Sequence, residues 1–143
     1  MKMLKNLKKN NKGFTLIEIV IVIVIIAILA AMLVPSMLSW IDTANQRTFL
    51  SAADTIKTSV TTSVSEKYAI DGTTVPDWDQ VSKLVGSTVS AGDTSEYKVT
   101  LTMGTGDPVP KNNIATMVVE NDKYSVTYTN DGSTATWGEV TAK

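Results

Sequence analysis

An uncharged run of 23 residues, Ile19 to Ile41, constrains this chain more than any other feature. At about 1.5 Å per helical residue the run reaches roughly 35 Å, which is enough to cross a hydrocarbon core about 30 Å thick. Its first eight residues, Ile19 to Ile26, are all β-branched and would favour a strand in water. In lipid every backbone polar group must be bonded within the segment, so we predict a membrane-spanning helix.

The charges in front of this run are arranged asymmetrically. No acidic residue precedes Glu18, whereas five lysines do: Lys2, Lys5, Lys8, Lys9 and Lys12. Lysines on one side only orient a membrane helix with its amino terminus in the cytoplasm and the remainder outside. Glu18 lies at the amino-terminal end of the apolar run, where a carboxylate costs free energy in the membrane. Its presence there therefore indicates a function.

The segment Lys12-Gly13-Phe14-Thr15-Leu16-Ile17-Glu18, placed before an apolar run, resembles the start of type IV pilins and their pseudopilin relatives. In that family a short basic leader ends in glycine, the processed chain begins with phenylalanine, and its fifth residue is glutamate. Gly13, Phe14 and Glu18 match this pattern in order and spacing. The resemblance implies that a prepilin peptidase cuts between Gly13 and Phe14 on the cytoplasmic face and N-methylates Phe14.

A cleaved secretory signal peptide and an uncleaved signal anchor are the other interpretations of this region. A signal peptidase requires small residues just before its cut, after an apolar region of about 7–15 residues. The run here is longer and contains no A-x-A. We therefore expect a cleaved basic leader (1–13), a transmembrane or filament-core helix (14–41) and an extracellular head (42–143).

Composition restricts the chemistry of the head. The processed chain would hold eight basic and 14 acidic residues, a formal charge of −6, which argues against a specific site for nucleic acid. Cysteine and histidine are absent, which removes thiol nucleophiles, the commonest general base and the usual transition-metal ligands. We predict neither an enzyme nor a cofactor. The lack of the carboxy-terminal disulfide found in many Gram-negative relatives favours a Gram-positive, clostridial type of pilin.

The amino-terminal helix is predicted to continue into the head. Apolar residues three or four positions apart form one stripe, which comprises Phe49, Ala53, Ile56, Val60 and Val64. We predict one helix from about Phe14 to about Tyr68, whose second half, 42–68, is amphipathic. Pro35 should kink it, because proline lacks an N–H and clashes with the carbonyl four residues earlier, at about 3 kcal/mol or more. The resemblance implies that the turn before Pro35 unwinds in a filament.

Residues 69–96 are predicted to be mostly a connector. Asp77 and Gln80 match a capping box before a short helix, Trp78 to Val85, that Gly86 stops. Apolar side chains of this helix, Leu84 included, should cover the edge of the core. Four strand-like runs follow, and Asn121-Asp122 would be a two-residue hairpin loop between the second and third. The runs are Tyr97 to Met103, Ile114 to Glu120, Tyr124 to Thr129 and Thr134 to Val140.

These patterns predict an α+β head in which a four-stranded antiparallel meander, 97–140, lies on the apolar stripe of the helix. The resemblance implies the same arrangement, the α/β roll of type IV pilins. The aromatic residues at strand spacing are assigned to the core; they are Tyr97, Tyr124, Tyr128 and Trp137. Asp71, Asp77 and Asp79 could offer oxygen ligands to calcium, which some pseudopilins bind. Roles at helix ends account for all three, so no metal is predicted.

The expected function is that of a pilus subunit that polymerises through its apolar helix into a surface filament for motility, adhesion or biofilm formation. The alternatives are a minor pilin, a pseudopilin of a secretion or DNA-uptake system, and a membrane-tethered extracellular binding module. The implied partners are identical or related pilin subunits, the prepilin peptidase, the inner-membrane assembly machinery, and membrane lipid before assembly. The chain would cross the cytoplasmic membrane once and then enter an extracellular pilus.

The resemblance also assigns a partner to Glu18. After cleavage, Phe14 would carry a free amino group, and the implied contact joins Glu18 to the Phe14 ammonium of an adjacent subunit. A contact within one chain, or a protonated Glu18, is the alternative.

Overall fold

A computed structural model describes residues 13–92 and 95–143, so the predicted basic leader lies outside the described residues except for Gly13. The described chain divides into two compact units, one up to Ile41 and one from Asp42 to Lys143. Two helices and six strands follow one another along the chain: α1 (Leu16–Asp71), α2 (Trp78–Val85), β1 (Val89–Ser90), β2 (Tyr97–Met103), β3 (Ile114–Glu120), β4 (Tyr124–Asn130), β5 (Ala135–Trp137) and β6 (Thr141–Ala142). The predicted α+β class is confirmed.

Helix α1 is 56 residues long and begins two residues later, and ends three residues later, than predicted. Its end is set by Gly72, which adopts a φ of 74° and donates its N–H to the carbonyl of Tyr68 over 3.0 Å. A left-handed glycine of this kind is a common helix stop. Pro35 lies inside α1 without interrupting the helical assignment, and the kink stays a prediction.

The sheet has six strands in place of the predicted four, in the order β1-β2-β3-β4-β5, with β6 also on β4. The antiparallel meander of β2, β3, β4 and β5 is confirmed. The two additional strands are β1, which pairs in parallel with Tyr97 and Lys98, and β6. The fourth predicted run is divided because two residues of β4, 126 and 127, face three residues, 138–140. This bulge separates β5 from β6.

One apolar core joins the second half of α1 to the sheet. The predicted stripe from Phe49 to Val64 is buried against the inner faces of the strands. Met117 and Val119 of β3 point into this core, and so does Ile114, because the β2–β3 register shifts by one residue between Thr102 and Met103. That shift explains why the face of β3 has no simple alternation in the sequence. The four aromatic residues assigned to the core are buried or packed against it.

Helix α2 has the predicted bounds, but its predicted capping box forms only in part. The Asp77 carboxylate accepts hydrogen bonds from the N–H groups of Asp79 and Gln80, at 3.1 and 3.2 Å. The reciprocal bond is absent, because the Asp77 N–H donates to Ser63 Oγ (2.8 Å) and the Gln80 amide donates to Glu66 (2.8 Å). Both acceptors belong to α1, so tertiary partners replace the local one.

Two further local predictions are wrong. Leu84 is 57% exposed, because α2 turns Val81, with Trp78 and Val85 beside it, toward the core instead. The connection between β3 and β4 spans residues 121–123, one more than predicted. The Asn121 side chain accepts hydrogen bonds from the N–H groups of Lys123 and Tyr124. No non-glycine residue in the described ranges has a positive φ, so the turn is not the two-residue type that needs one.

Candidate processing and assembly site

The predicted cleavage site lies in a short irregular segment just before α1. Gly13 is exposed and Phe14 is 81% exposed, and the helix begins only at Leu16. The peptide bond between Gly13 and Phe14 therefore takes no part in the helical hydrogen bonds. A methyl group added at Gly13 would meet no atom within 4 Å. The fold of this chain thus does not itself demand glycine at position 13.

Thr15 and Glu18 form a capping box at the start of α1. Glu18 Oε2 accepts hydrogen bonds from the N–H and the hydroxyl of Thr15, each over 3.0 Å. In return, Thr15 Oγ1 accepts a bond from the Glu18 N–H over 3.3 Å. The reciprocal bonds satisfy backbone donors that the first helical turn leaves without partners. We did not predict this box from the sequence, although the spacing T-x-x-E carries its signature.

The capping box determines where the Glu18 carboxylate lies in the precursor. It is held over the first turn of α1 by its own chain, where the helix dipole also favours a negative charge. The nitrogen of Phe14 is a peptide nitrogen before cleavage, so the ammonium that would pair with Glu18 exists only after processing. The pairing of Glu18 with Phe14 of an adjacent subunit stays a prediction.

The apolar part of α1 is exposed along its length within the described residues. In the described ranges α1 alone is long and apolar enough to cross a membrane, and none of its most apolar 18-residue window is buried. Large apolar side chains there are half to four-fifths exposed, from Val20 at 45% to Leu16 at 82%. An apolar surface of this extent indicates contact with lipid or with other protein chains.

Two long-range hydrogen bonds connect α1 to the sheet in the Asp42–Lys143 unit. The Tyr124 hydroxyl donates to Asp42 Oδ1 over 2.8 Å, and this bond raises the pKa of Tyr124. The Trp137 indole N–H donates to Asp54 Oδ1 over 3.2 Å. Lys57 lies 3.6 Å from the same carboxylate oxygen and 4.7 Å from the centre of the Tyr128 ring. The contacts of Tyr124, Trp137 and Tyr128 with α1 have no local signal in the sequence, because their partners are more than 70 residues away.

The three aspartates weighed as calcium ligands have other roles. Asp71 accepts a hydrogen bond from the Thr73 N–H after the end of α1, and Asp77 caps α2. Asp79 lies in the first turn of α2, where a negative charge is favourable. Within 13–92 and 95–143, no group of three or more acidic side chains is placed to hold a metal ion.

Comparison with known proteins identifies the amino-terminal region. The family model for the prokaryotic N-terminal methylation motif matches residues 8–34, a range that contains Gly13, Phe14, Glu18 and most of the apolar run. No solved structure matches the chain. The motif implies processing by a prepilin peptidase and assembly into a pilus-type system, and with the apolar helix it indicates membrane anchoring before assembly. The amino-terminal region of the chain therefore carries the methylation motif of type IV pilin-like prepilins.

Proposed function

We propose that the chain is the major structural subunit of a type IV pilus and polymerises through α1 into a surface filament. The observation that carries this proposal is the exposed apolar surface of α1 directly behind the cleavage site. A cut before this surface leaves it in the product, whereas a secretory signal would be discarded. A helix that is apolar on all sides needs lipid, and then other helices, around it.

The first step of the proposed assembly is processing at Gly13–Phe14. The bond lies in an exposed, non-helical segment, which is the form that a peptidase can bind. Since glycine is not required by the chain's own packing at position 13, the requirement would come from the peptidase, which must fit a residue beside the scissile bond. The product has 130 residues and begins with Phe14, whose new amino group becomes N-methylated.

The second step is the pairing of Glu18 with the Phe14 ammonium of an adjacent subunit. In the membrane Glu18 lies near the interface, where a charge costs less than the roughly 2.5–3.5 kcal/mol expected at the bilayer centre. Among packed aliphatic helices an unpaired carboxylate is strongly unfavourable, and removing one partner of a buried pair typically costs about 3–5 kcal/mol. Thr15 bonds to Oε2, and the acceptor capacity of a carboxylate leaves Oε1 for the ammonium. The pair would fix the axial register of each incoming subunit.

Pro35 supplies the third element of the proposal. Its missing N–H leaves the carbonyl of Ala31 without its helical partner, which makes the preceding turn the weakest part of the apolar helix. Unwinding of this turn on assembly would let the subunits pack more closely. The neighbouring residues are alanines, at positions 27, 30 and 31.

Glu18 also separates the filament subunit from a membrane-tethered binding module. A monomeric anchor gains little from an acid four residues inside the processed chain, whereas an assembling subunit uses it as a partner. A minor pilin or a pseudopilin of a secretion or DNA-uptake system would share the amino-terminal region. Only the abundance of the subunit in filaments distinguishes those roles from that of the major pilin.

The test compares cells that express wild-type chain, Glu18→Ala, or Asp122→Ala as a matched control on the surface of the head. Electron microscopy counts filaments, and mass spectrometry of sheared material identifies their main subunit. We expect Glu18→Ala to be cleaved and inserted but to give few or no filaments, and Asp122→Ala to behave as wild type. Filaments of normal number and length from Glu18→Ala cells lacking wild-type subunit would support the tethered module instead.

A further inference from the structure

The two edges of the sheet carry strands without a neighbour on one side. On one edge β1 covers only Tyr97 and Lys98 of β2, so residues 99–103 have no strand beside them within the described ranges. On the other edge β5 pairs with β4 alone among the strands that the structure describes. An unprotected strand edge readily pairs with another chain, and natural proteins usually block it with a charge or a proline. Neither is present in 99–103 or in β5.

The unpaired backbone groups of both edges can be identified from the neighbouring hydrogen bonds. The Tyr97 N–H donates toward β1, to Thr88, whereas the Gly104 N–H donates toward the β3 side, to Asn113. Because alternate residues of a strand point to the same side, Leu101 and Met103 direct their N–H and C=O groups to the free edge.

The same reasoning applies to β5. The Gly138 N–H donates to Thr127 of β4 over 2.8 Å, and the Thr134 carbonyl accepts from Asp131 over 3.2 Å. The N–H and C=O groups of the even-numbered residues therefore point toward β4, and those of Ala135 and Trp137 point toward the free side.

The directions and faces of the two edges also agree. Three successive antiparallel pairings make β5 antiparallel to β2 within one sheet. On the inner face Leu101, Met103 and Trp137 pack against the core. On the outer face Thr102 and Thr136 are exposed.

We propose that the free edge of β2 in one copy pairs with the free edge of β5 in a second copy, which joins neighbouring heads into a continuous sheet. Leu101 lies opposite Trp137, Thr102 opposite Thr136, and Met103 opposite Ala135. In this register the free N–H and C=O groups of the two strands face each other and the strands run antiparallel. Residues of the inner face lie opposite residues of the inner face, and Thr102 and Thr136 of the outer face lie opposite each other. Since the contact uses two different edges, it repeats head to tail along an assembly. The inference rests on the proposed filament, which brings the heads together.

Two features of the edges favour a second copy as the occupant. Thr102, Thr116, Thr129 and Thr136 form one row across the outer face of the sheet, and the pairing continues this row from copy to copy. An open groove of about 420 Å³ beside the β2 edge is lined by two threonines and by apolar side chains, among them Val75, Trp78, Leu101 and Met103. It offers apolar surface to the inner face of an incoming β5.

A contact of three residues per strand is weak by itself, since isolated two-stranded pairings are marginal in water. Packed α1 helices would hold the heads at high effective concentration, so that even a weak contact between them forms. The pairing is therefore expected in filaments, and the full-length chain is the form in which to test it.

The test is a disulfide between Thr102→Cys and Thr136→Cys in the same full-length chain, which has no cysteine of its own. Directly opposite residues of a non-hydrogen-bonded antiparallel pair have Cα atoms about 4.5 Å apart, within the range of a disulfide. Within one copy β3 and β4 separate the two positions by three strand steps, or roughly 14 Å. Any disulfide must therefore join two copies.

We expect sheared filaments of the double variant to give a ladder of multimers on a non-reducing gel. Matched controls are the two single variants and the pair Thr102→Cys with Thr129→Cys, since Thr129 is also exposed but lies on β4, one strand away from the free edge. The controls should give no extended ladder. Filaments without a ladder, or an equal ladder from the control pair, would overturn the pairing while leaving the filament intact. Absence of wild-type filaments would overturn the proposed function and the pairing together.

A second variant covers the case in which the double variant does not assemble. Ala135→Pro removes an N–H that points to the free edge, and proline is tolerated at such a position because its own ladder is unaffected. We expect the head to keep its unfolding midpoint while filaments become fewer or shorter. Normal filaments from Ala135→Pro would contradict the pairing.

Discussion

Asp131 organises the turn between β4 and β5 with one carboxylate. Its Oδ1 accepts hydrogen bonds from the N–H groups of Thr134 (2.7 Å) and Ser133 (2.9 Å), and these bonds hold the pKa of Asp131 well below its usual range. With the folded pKa lowered, the stabilisation is present above the unfolded value of about 3.9 and is lost as the pH falls toward the folded value. We expect Asp131→Ala to lower the thermal midpoint at pH 7, with the difference shrinking below about pH 4.

Circular dichroism melts across that pH range measure the effect. Asp122→Ala is the control. The Asp122 side chain lies in the turn between β3 and β4 and has no hydrogen bond or ion pair within the described ranges. A difference between Asp131→Ala and wild type that stays constant from pH 7 to acid would contradict the prediction.

Tyr124 has the opposite pH dependence. Its hydroxyl donates to Asp42, and both this bond and the burial of the ring raise the pKa of Tyr124. A raised folded pKa gives stabilisation that is complete below the unfolded value of about 10 and is lost as the pH rises through the folded value. Tyr124→Phe should lower the thermal midpoint at pH 7, and the difference from wild type should shrink above about pH 10. Tyr128→Phe is the control, and an unchanged midpoint for Tyr124→Phe at pH 7 would contradict the role of the bond.

We expect Gly13 to be required for processing and not for the fold. Since a side chain at position 13 meets no atom within 4 Å, Gly13→Val should leave the head and the membrane insertion as they are. It should prevent cleavage, because the added side chain must fit beside the scissile bond in the peptidase. Intact-mass measurement should give the 143-residue chain for Gly13→Val and a methylated 130-residue chain for wild type. A mature wild-type start beyond Ile19 would contradict the cleavage site.

At the scale of elements, the second half of α1 is held by its apolar stripe. Phe49 is 3% exposed, and its ring lies 5.6 Å from the ring of Tyr124 and 6.4 Å from that of Tyr97. Phe49→Ala should therefore reduce the free energy of unfolding by about 3–5 kcal/mol. Urea unfolding measures this, with the exposed Ser51→Ala as control. An unchanged midpoint would show that the stripe does not hold the sheet.

The elements that were predicted correctly are those with local causes. Asp77 and Gly86 bound α2 by bonds within the same few residues, so its range could be read from the sequence. The strands β2 and β4 follow from the alternation of apolar and polar residues, whereas β3 was recognised as a strand-like run without a simple alternation. In contrast, β1 has two residues and too little pattern to detect, and the bulge at 138–140 depends on pairing with a distant strand.

The candidate site also contains residues that a local sequence pattern predicts and contacts that it does not predict. Gly13, Phe14 and Glu18 are recognised by their spacing, and the T-x-x-E signature of the Thr15–Glu18 box was available but not used. The bond from Tyr124 to Asp42 joins residues 82 positions apart. Such contacts depend on which strand reaches which helical turn, and a single sequence carries no local signal for that.

At the scale of the molecule, the Asp42–Lys143 unit should fold without the preceding segment. Among the described residues, the buried apolar core lies between Phe49 and Tyr128, so a fragment of residues 42–143 retains all of that core. A fragment of residues 42–143 should be soluble and unfold cooperatively in urea, whereas the full chain should require detergent because its apolar helix is exposed. Light scattering should show a monomer, since the β2–β5 pairing involves only three residues per strand.

A second fragment that lacks Asp42 tests the contribution of this residue. A matched fragment that starts at Thr43 loses the acceptor of the Tyr124 hydroxyl and should unfold at a lower midpoint than the 42–143 fragment, while both remain monomeric. Since the two fragments differ by one residue, the difference reports the two hydrogen bonds of Asp42, from Tyr124 and from Gln46, separately from the burial of the stripe. A 42–143 fragment that aggregates or unfolds without a cooperative transition would mean that the head depends on its membrane segment for folding, and the two units would then have to be treated as one.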